Sequence, residues 1–157
     1  MLVKRCYMVV AICLALLVTL CAGCSGATEP DVSLDAILSE IENAVEMDSA
    51  SRMSDSDLLD LYGIQAADIA EQASLVSMNG IFPDEIIMVK ATDEEALTRI
   101  REKLENRLQE VLNQSRSYDA ENYAIAQRCA VDVRGLYAAL FVSANHEKMT
   151  ELYSAHF

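Results

Sequence analysis

"TDEEALTRIREKLENRLQEVLNQS" occupies residues 92–115, and its reading decides what the rest of the chain must build. Thr92 and Glu95 have the spacing of a helix-capping box, and Asp93 and Glu94 suit the positive end of a helix dipole. Leu97, Ile100, Leu104, Leu108, Val111 and Leu112 recur at helical spacing and draw one apolar stripe. Arg99, Arg101, Lys103, Glu105, Arg107 and Glu110 fall largely off it, and pairs such as Glu95–Arg99 stand one turn apart. The pattern predicts one long amphipathic helix over 93–116. A helix with a single apolar side needs a flat apolar partner.

The flanking segments supply one. "AEQASLVSM" (70–78) and "DEIIMVKAT" (84–92) read as strands joined through "NGIFP", an antiparallel hairpin. After the helix, "YDAENYAIAQ" (118–127) predicts a second, short helix. "RCAVDVRGLYAALFVSA" (128–144) then predicts strands over 128–133 and 136–143, turning at Arg134-Gly135, where Gly135 tolerates positive φ. "LYAALFV" is apolar on both faces, which marks an internal strand covered on both sides. A single helix over 124–144 is opposed by Gly135, Val131, Val133 and Val142. Asn145 is placed to cap a last helix with Met149, Leu152 and Tyr153 inward.

Upstream, Ser33 is placed to cap a helix running to about Met47. Leu34, Ile37, Leu38, Ile41 and Val45 lie on its inner face, and Glu40, Glu42 and Glu46 are wet. "DSASRMSDS" (48–56) breaks the pattern as a polar loop. "DLLDLYG" (57–63) follows as a short helical piece, with Ser56 as its cap and Gly63 ending it in a left-handed conformation. The order of elements predicts an α+β fold: a mainly antiparallel four-stranded sheet with the long helix packed on one face. Residues 33–157 form one domain in this reading.

The first 24 residues read differently. "MLVKR" is basic, and "CYMVVAICLALLVTLCAG" (6–23) runs without a charge before "SGATEPD". This is the layout of an export signal, with an uncleaved membrane span as its rival because 18 apolar residues approach a spanning length. Small residues follow the run and no Lys or Arg appears before Arg52, so a stop-transfer flank is missing. "CAGC" (21–24) resembles the lipobox of bacterial lipoproteins, with Ala22-Gly23 before an acceptor Cys24, although Cys21 stands where the motif usually has Leu. The organisation expected is a lipoprotein signal peptide over 1–23, a lipid-anchored tether over 24–32 and lipidation at Cys24. Residues 25–32 reach ~26 Å at most, which keeps the domain near the bilayer. Of five cysteines, Cys6, Cys13, Cys21 and Cys24 lie in or at the signal, leaving Cys129 as a lone thiol and a buried small hydrophobe.

The pieces "DLYGI" (60–64), "DEIIMVKATD" (84–93), "LENRLQEVLNQSRSYDAENY" (104–123) and "VDVRGLYAALFVS" (131–143) together resemble a family of small uncharacterised lipoproteins of Gram-positive bacteria, catalogued as a domain of unknown function. The resemblance implies a lipid-anchored surface protein at the extracytoplasmic face of the cell membrane. It carries over no catalytic residues.

The remaining residues narrow the function classes. Removing 1–23 takes away Lys4 and Arg5 and no acid, leaving 10 basic and 25 acidic side chains and a net charge of −15. Such a surface repels nucleic acid and anionic headgroups. His146 and His156 are nearly three helical turns apart and read as solvated or rim residues, not a metal pair. Asp48, Asp55, Asp57 and Asp60 lack the glycine and distal glutamate of a calcium loop, so they read as solvated and helix-capping. Tyr118 and Tyr123 read as sealing a helix against its sheet, with an aromatic rim for a ligand as the alternative. No phosphate loop or nucleophile elbow is present, and no cofactor or metal site is expected. Two functions follow as expectations. The first is a membrane-anchored, non-enzymatic module binding an envelope protein partner. The alternative is an envelope hydrolase or transferase using paired carboxylates.

Overall fold

The computed structural model describes residues 32–77 and 84–157. The signal segment, Cys24, the tether up to residue 31 and the whole "NGIFP" turn lie outside the described residues. Among those described, no helix is long and apolar enough to cross a membrane.

The elements run α1 (Leu34–Ala44), β1 (Ala50–Arg52), α2 (Asp55–Tyr62), a 3-10 turn (Ala66–Asp68), β2 (Ile69–Ser77), β3 (Asp84–Ala91), α3 (Glu94–Tyr118), α4 (Ala120–Ala126), β4 (Val131–Arg134), β5 (Tyr137–Val142) and α5 (His146–Ser154). The class is α+β as expected, but the sheet has five antiparallel strands in the order β1-β2-β3-β5-β4, not four. The extra strand, β1, lies inside the segment read as a polar loop. Its three residues pair Ala50 with Ser77 and Arg52 with Leu75, too short a run for alternation to declare itself. Arg52 is exposed and holds Asp35 and Glu42 of α1 by its guanidinium.

Side chains of β3 and β5 point alternately into two cores. Ile87, Val89, Ala138, Leu140 and Val142 meet α3, with Leu58 of α2 and Ala126 of α4 in the same cluster. Ile86, Met88, Tyr137, Ala139 and Phe141 meet Leu34, Ile37, Leu38 and Ile41 of α1 and Met149 and Tyr153 of α5. All six residues of β5 are buried, which is the two-sided covering its unbroken apolar run implied. Helices therefore cover both faces of the sheet, with the long helix on one and α1 and α5 on the other.

Several local details differ from expectation. Asp93, not Thr92, caps α3, accepting the Ala96 N–H at 2.8 Å. Thr92 instead gives its N–H to the Asp68 carbonyl at 3.0 Å. Ser54, not Ser56, caps α2 in a reciprocal box with Asp57. Asn145 precedes α5 without a side-chain cap bond. Gly63 is left-handed with φ 70°, as its place after α2 implied. Between β4 and β5 the central turn residues are Gly135 and Leu136, because Arg134 already pairs with Tyr137. Gly135 has φ 54° and Leu136 has no positive φ, the sign pattern of a type II′ hairpin, which asks for glycine first.

The start of the domain is tied to the middle of the sheet. The Val32 N–H donates to the Tyr137 hydroxyl at 3.2 Å, and that hydroxyl lies 3.4 Å from the Val32 carbonyl. Two residues on, the Leu34 N–H donates to Glu71 Oε1 at 2.7 Å.

Candidate functional site

Helix α3 places Arg99, Lys103 and Arg107 four residues apart, in one line along its flank. Lys103 and Arg107 face the "LYGI" segment, at Gly63 and Tyr62, and Arg99 meets Asp68 of the 3-10 turn that follows it.

Arg107 lies deepest, with its side chain 19% exposed. Its guanidinium grips both oxygens of Glu85, which is 1% exposed, and it also reaches Glu110 at 3.3 Å. The Tyr62 ring lies over it with the guanidinium carbon 5.7 Å from the ring centre. The Glu85 hydrogen bonds, set against burial, raise the Arg107 pKa further, keeping it charged. Burial beside Glu85 raises the Tyr62 pKa, so its hydroxyl stays protonated.

Arg99 closes the other end of the line. Its Nε and Nη2 hold the two oxygens of Asp68 at 3.0 and 2.6 Å, a parallel fork. This bond holds the Asp68 carboxyl below the usual carboxylate range. The expected Glu95–Arg99 helix pair gives way to it, because Asp68 meets the planar guanidinium with both oxygens across the groove. Between them stands Lys103, whose Nζ lies 3.6 Å from where a Cβ on Gly63 would sit. Among the described residues Lys103 makes no ion pair. Gly63, Ile64, Gln65, Asp68, Arg99 and Lys103 line an open groove of about 310 Å³, with Ile100 and Glu102 at its side.

The other sequence-selected residues lie apart from this groove. Cys129 is buried, its Sγ 3.4 Å from the Ile125 carbonyl, and burial raises its thiol pKa. This matches the role of a small hydrophobe. Asp57 completes the capping box of α2 by accepting the Ser54 N–H, while Asp55 and Asp60 are exposed. Asp48 joins Glu46, Ser77 and Asp84 around a polar hollow of about 360 Å³. Among the described residues, no three His, Cys, Asp or Glu side chains are placed to hold a metal. Tyr118 is 88% exposed and seals nothing, whereas Tyr123 is half-buried. The reading of Tyr118 as a helix–sheet seal fails because α3 ends there, clear of the sheet, and Asp119 starts α4.

His156 sits at the rim, its Nε2 3.0 Å from Glu40. His146 does not: it is 7% exposed, and its Nε2 has no hydrogen-bond partner among the described residues. Its position three residues before Met149 and seven before Tyr153 puts it on the inner stripe of α5. Burial lowers its pKa, with the Arg128 charge adding to that and Glu147, 4.0 Å away, opposing it.

The buried pair was detectable in the same way. Glu85 shares its strand parity with Ile87 and Val89, and Arg107 falls beside Leu104, Leu108 and Val111 at the border of the apolar stripe. Each is a charge at an apolar position, and the two answer each other. Asp68 leaves no comparable signal.

The model of a family described as a domain of unknown function, DUF4358, matches residues 43–143, a span that holds all five strands and α2, α3 and α4. No curated protein and no solved structure matches the chain.

Arg107→Met is expected to destabilise the domain by ~3–5 kcal/mol, because it leaves the Glu85 carboxylate buried without its partner. Adding Glu85→Met should recover most of that loss, as urea unfolding of the single and double variants would show. His146 gives a pH signature. Its folded-state pKa lies below the ordinary 6.5, so the unfolded chain takes up the proton first as pH falls. Its contribution is full above pH 6.5 and is lost as pH drops from there through the folded value. His146→Phe should flatten that part of the thermal stability profile.

Proposed function

The chain belongs to the DUF4358 family of domains of unknown function, and from that premise we propose that it is a lipid-anchored, non-enzymatic binding module at the extracytoplasmic face of the cell membrane. In this reading residues 1–23 are a signal peptide, Cys24 carries the lipid, and residues 24–32 are the tether. The body, residues 33–157, docks an envelope protein. The basic start, the uncharged apolar run and "CAGC" support the anchor. The likeness to Gram-positive lipoproteins belongs to the same proposal.

One observation carries the binding role: Lys103, an ammonium without an acidic partner among the described residues, stands in an open groove between apolar Ile64 and Ile100. Its neighbours on the same flank, Arg99 and Arg107, are each neutralised by a carboxylate. A partner presenting an acidic group would pair with that ammonium, and the acidic remainder of the surface favours a partner otherwise neutral or basic. Carboxylate acid–base catalysis draws no support from the two buried acids. Glu85 and Asp68 each have both oxygens committed to a guanidinium, and they do not face each other across a cleft.

Two variants of the full chain test this. Cys24→Ala is expected to abolish incorporation of labelled fatty acid and to leave the precursor at its original length; unchanged labelling would place the acceptor elsewhere. Lys103→Glu is expected to lower partner recovery in whole-cell crosslinking by about tenfold, the weight of ~1.4 kcal/mol. Undiminished recovery would remove the groove from the contact.

A further inference from the structure

The sheet has two edges, and they are treated differently. At one, β1 is three residues long and carries Arg52 bound to α1. At the other, β4 is four residues long, its two charges, Asp132 and Arg134, pair with each other on one face, and Val133 on the opposite face is 39% exposed. Short edges, charges and prolines are the usual guards against edge pairing.

The backbone of β4 has a defined outward side. Arg134 and Tyr137 close the two-residue turn, so Arg134 and Asp132 turn their N–H and C=O groups toward β5. The Leu136 carbonyl accepts the Ala91 N–H at 2.8 Å, which fixes the same alternation along β5. Val131 and Val133 therefore direct their peptide groups outward, and no hydrogen bond to them from another element is present among the described residues.

We propose that β4 pairs antiparallel with β4 of a second copy of this chain, centred on Val133. That register sets Val133 opposite Val133 and Asp132 opposite the second copy's Arg134, in both directions. Asp132 and Arg134 lie on the α1/α5 side of the sheet, where they pair within the strand at 3.0 Å and Arg134 reaches Ser154 at 2.9 Å. Across the interface each would face its opposite charge, while the two Val133 side chains cover each other on the α3 side. A strand whose sequence answers itself in this way satisfies the condition for an isologous two-fold contact. The axis runs perpendicular to the sheet, so both α1/α5 layers lie on the same side. Both Val32 residues, part of that layer's core, then enter their domains from one side, as two anchors in one bilayer require.

The test uses the full chain in membranes. Val133→Cys places two cysteines at ~5.5 Å between Cα atoms, within disulfide reach. In the same register two Val131→Cys positions are ~14 Å apart, beyond it. Oxidation should join residue 133 of one chain to residue 133 of another, read as the crosslinked peptide. The yield should be at least about tenfold above that of Val131→Cys. Val133→Pro removes an outward N–H and should convert the detergent-solubilised dimer to monomer with its circular dichroism unchanged. Absence of the 133–133 link, equal yields at both positions, or a disulfide from position 133 to a different protein would each overturn the proposal. The measurement reads pairing whether or not Cys24 carries lipid, so it stands or falls apart from the anchor.

Discussion

Strands β3 and β5 lie side by side with Ile86 against Phe141 and Val89 against Ala138, and neither has a face left for water. That pairing governs the rest. A strand buried on both sides obliges the chain to supply two separate helical layers, and the two cores contain no side chain in common. It also joins segments about fifty residues apart, so neither α3 nor the β2–β3 hairpin has its full apolar partner until β5 arrives. The short strands at the edges add hydrogen bonds to a sheet whose interior is already defined.

Much of this was legible from periodicity. The 3.6-residue stripe of α3, the apolar run of Tyr137–Val142 and the glycines at 63 and 135 stand where the physics of helix, buried strand and turn puts them. Two elements that escaped reading depend on a neighbour distant in sequence. Ala50–Arg52 is a strand only because β2 lies beside it. Asp68 is an ion-pair partner only because the 3-10 turn brings it under Arg99. Glu85, Arg107 and His146 are different, since each violates a pattern that is visible in its own segment. A charge on an apolar stripe is a question the sequence asks without answering.

The flank of α3 shows how one helix serves two purposes. Its inner stripe builds the core, while Lys103 and Arg107 lie against the "LYGI" segment and Arg99 against Asp68. The Arg107 pair is more buried than the Arg99 pair, so it is the more costly of the two to break. Rigidity at Arg107 and openness at Lys103 coexist within one turn of helix.

The bond between Val32 and Tyr137 has a mechanical meaning. Any tension along the polypeptide ahead of the domain is delivered through the tyrosine hydroxyl to β5 and, at Leu34, through Glu71 to β2. Load is thus shared by two inner strands before α1 begins to peel. The fold meets a pull at two strands inside its sheet and not at a fraying end.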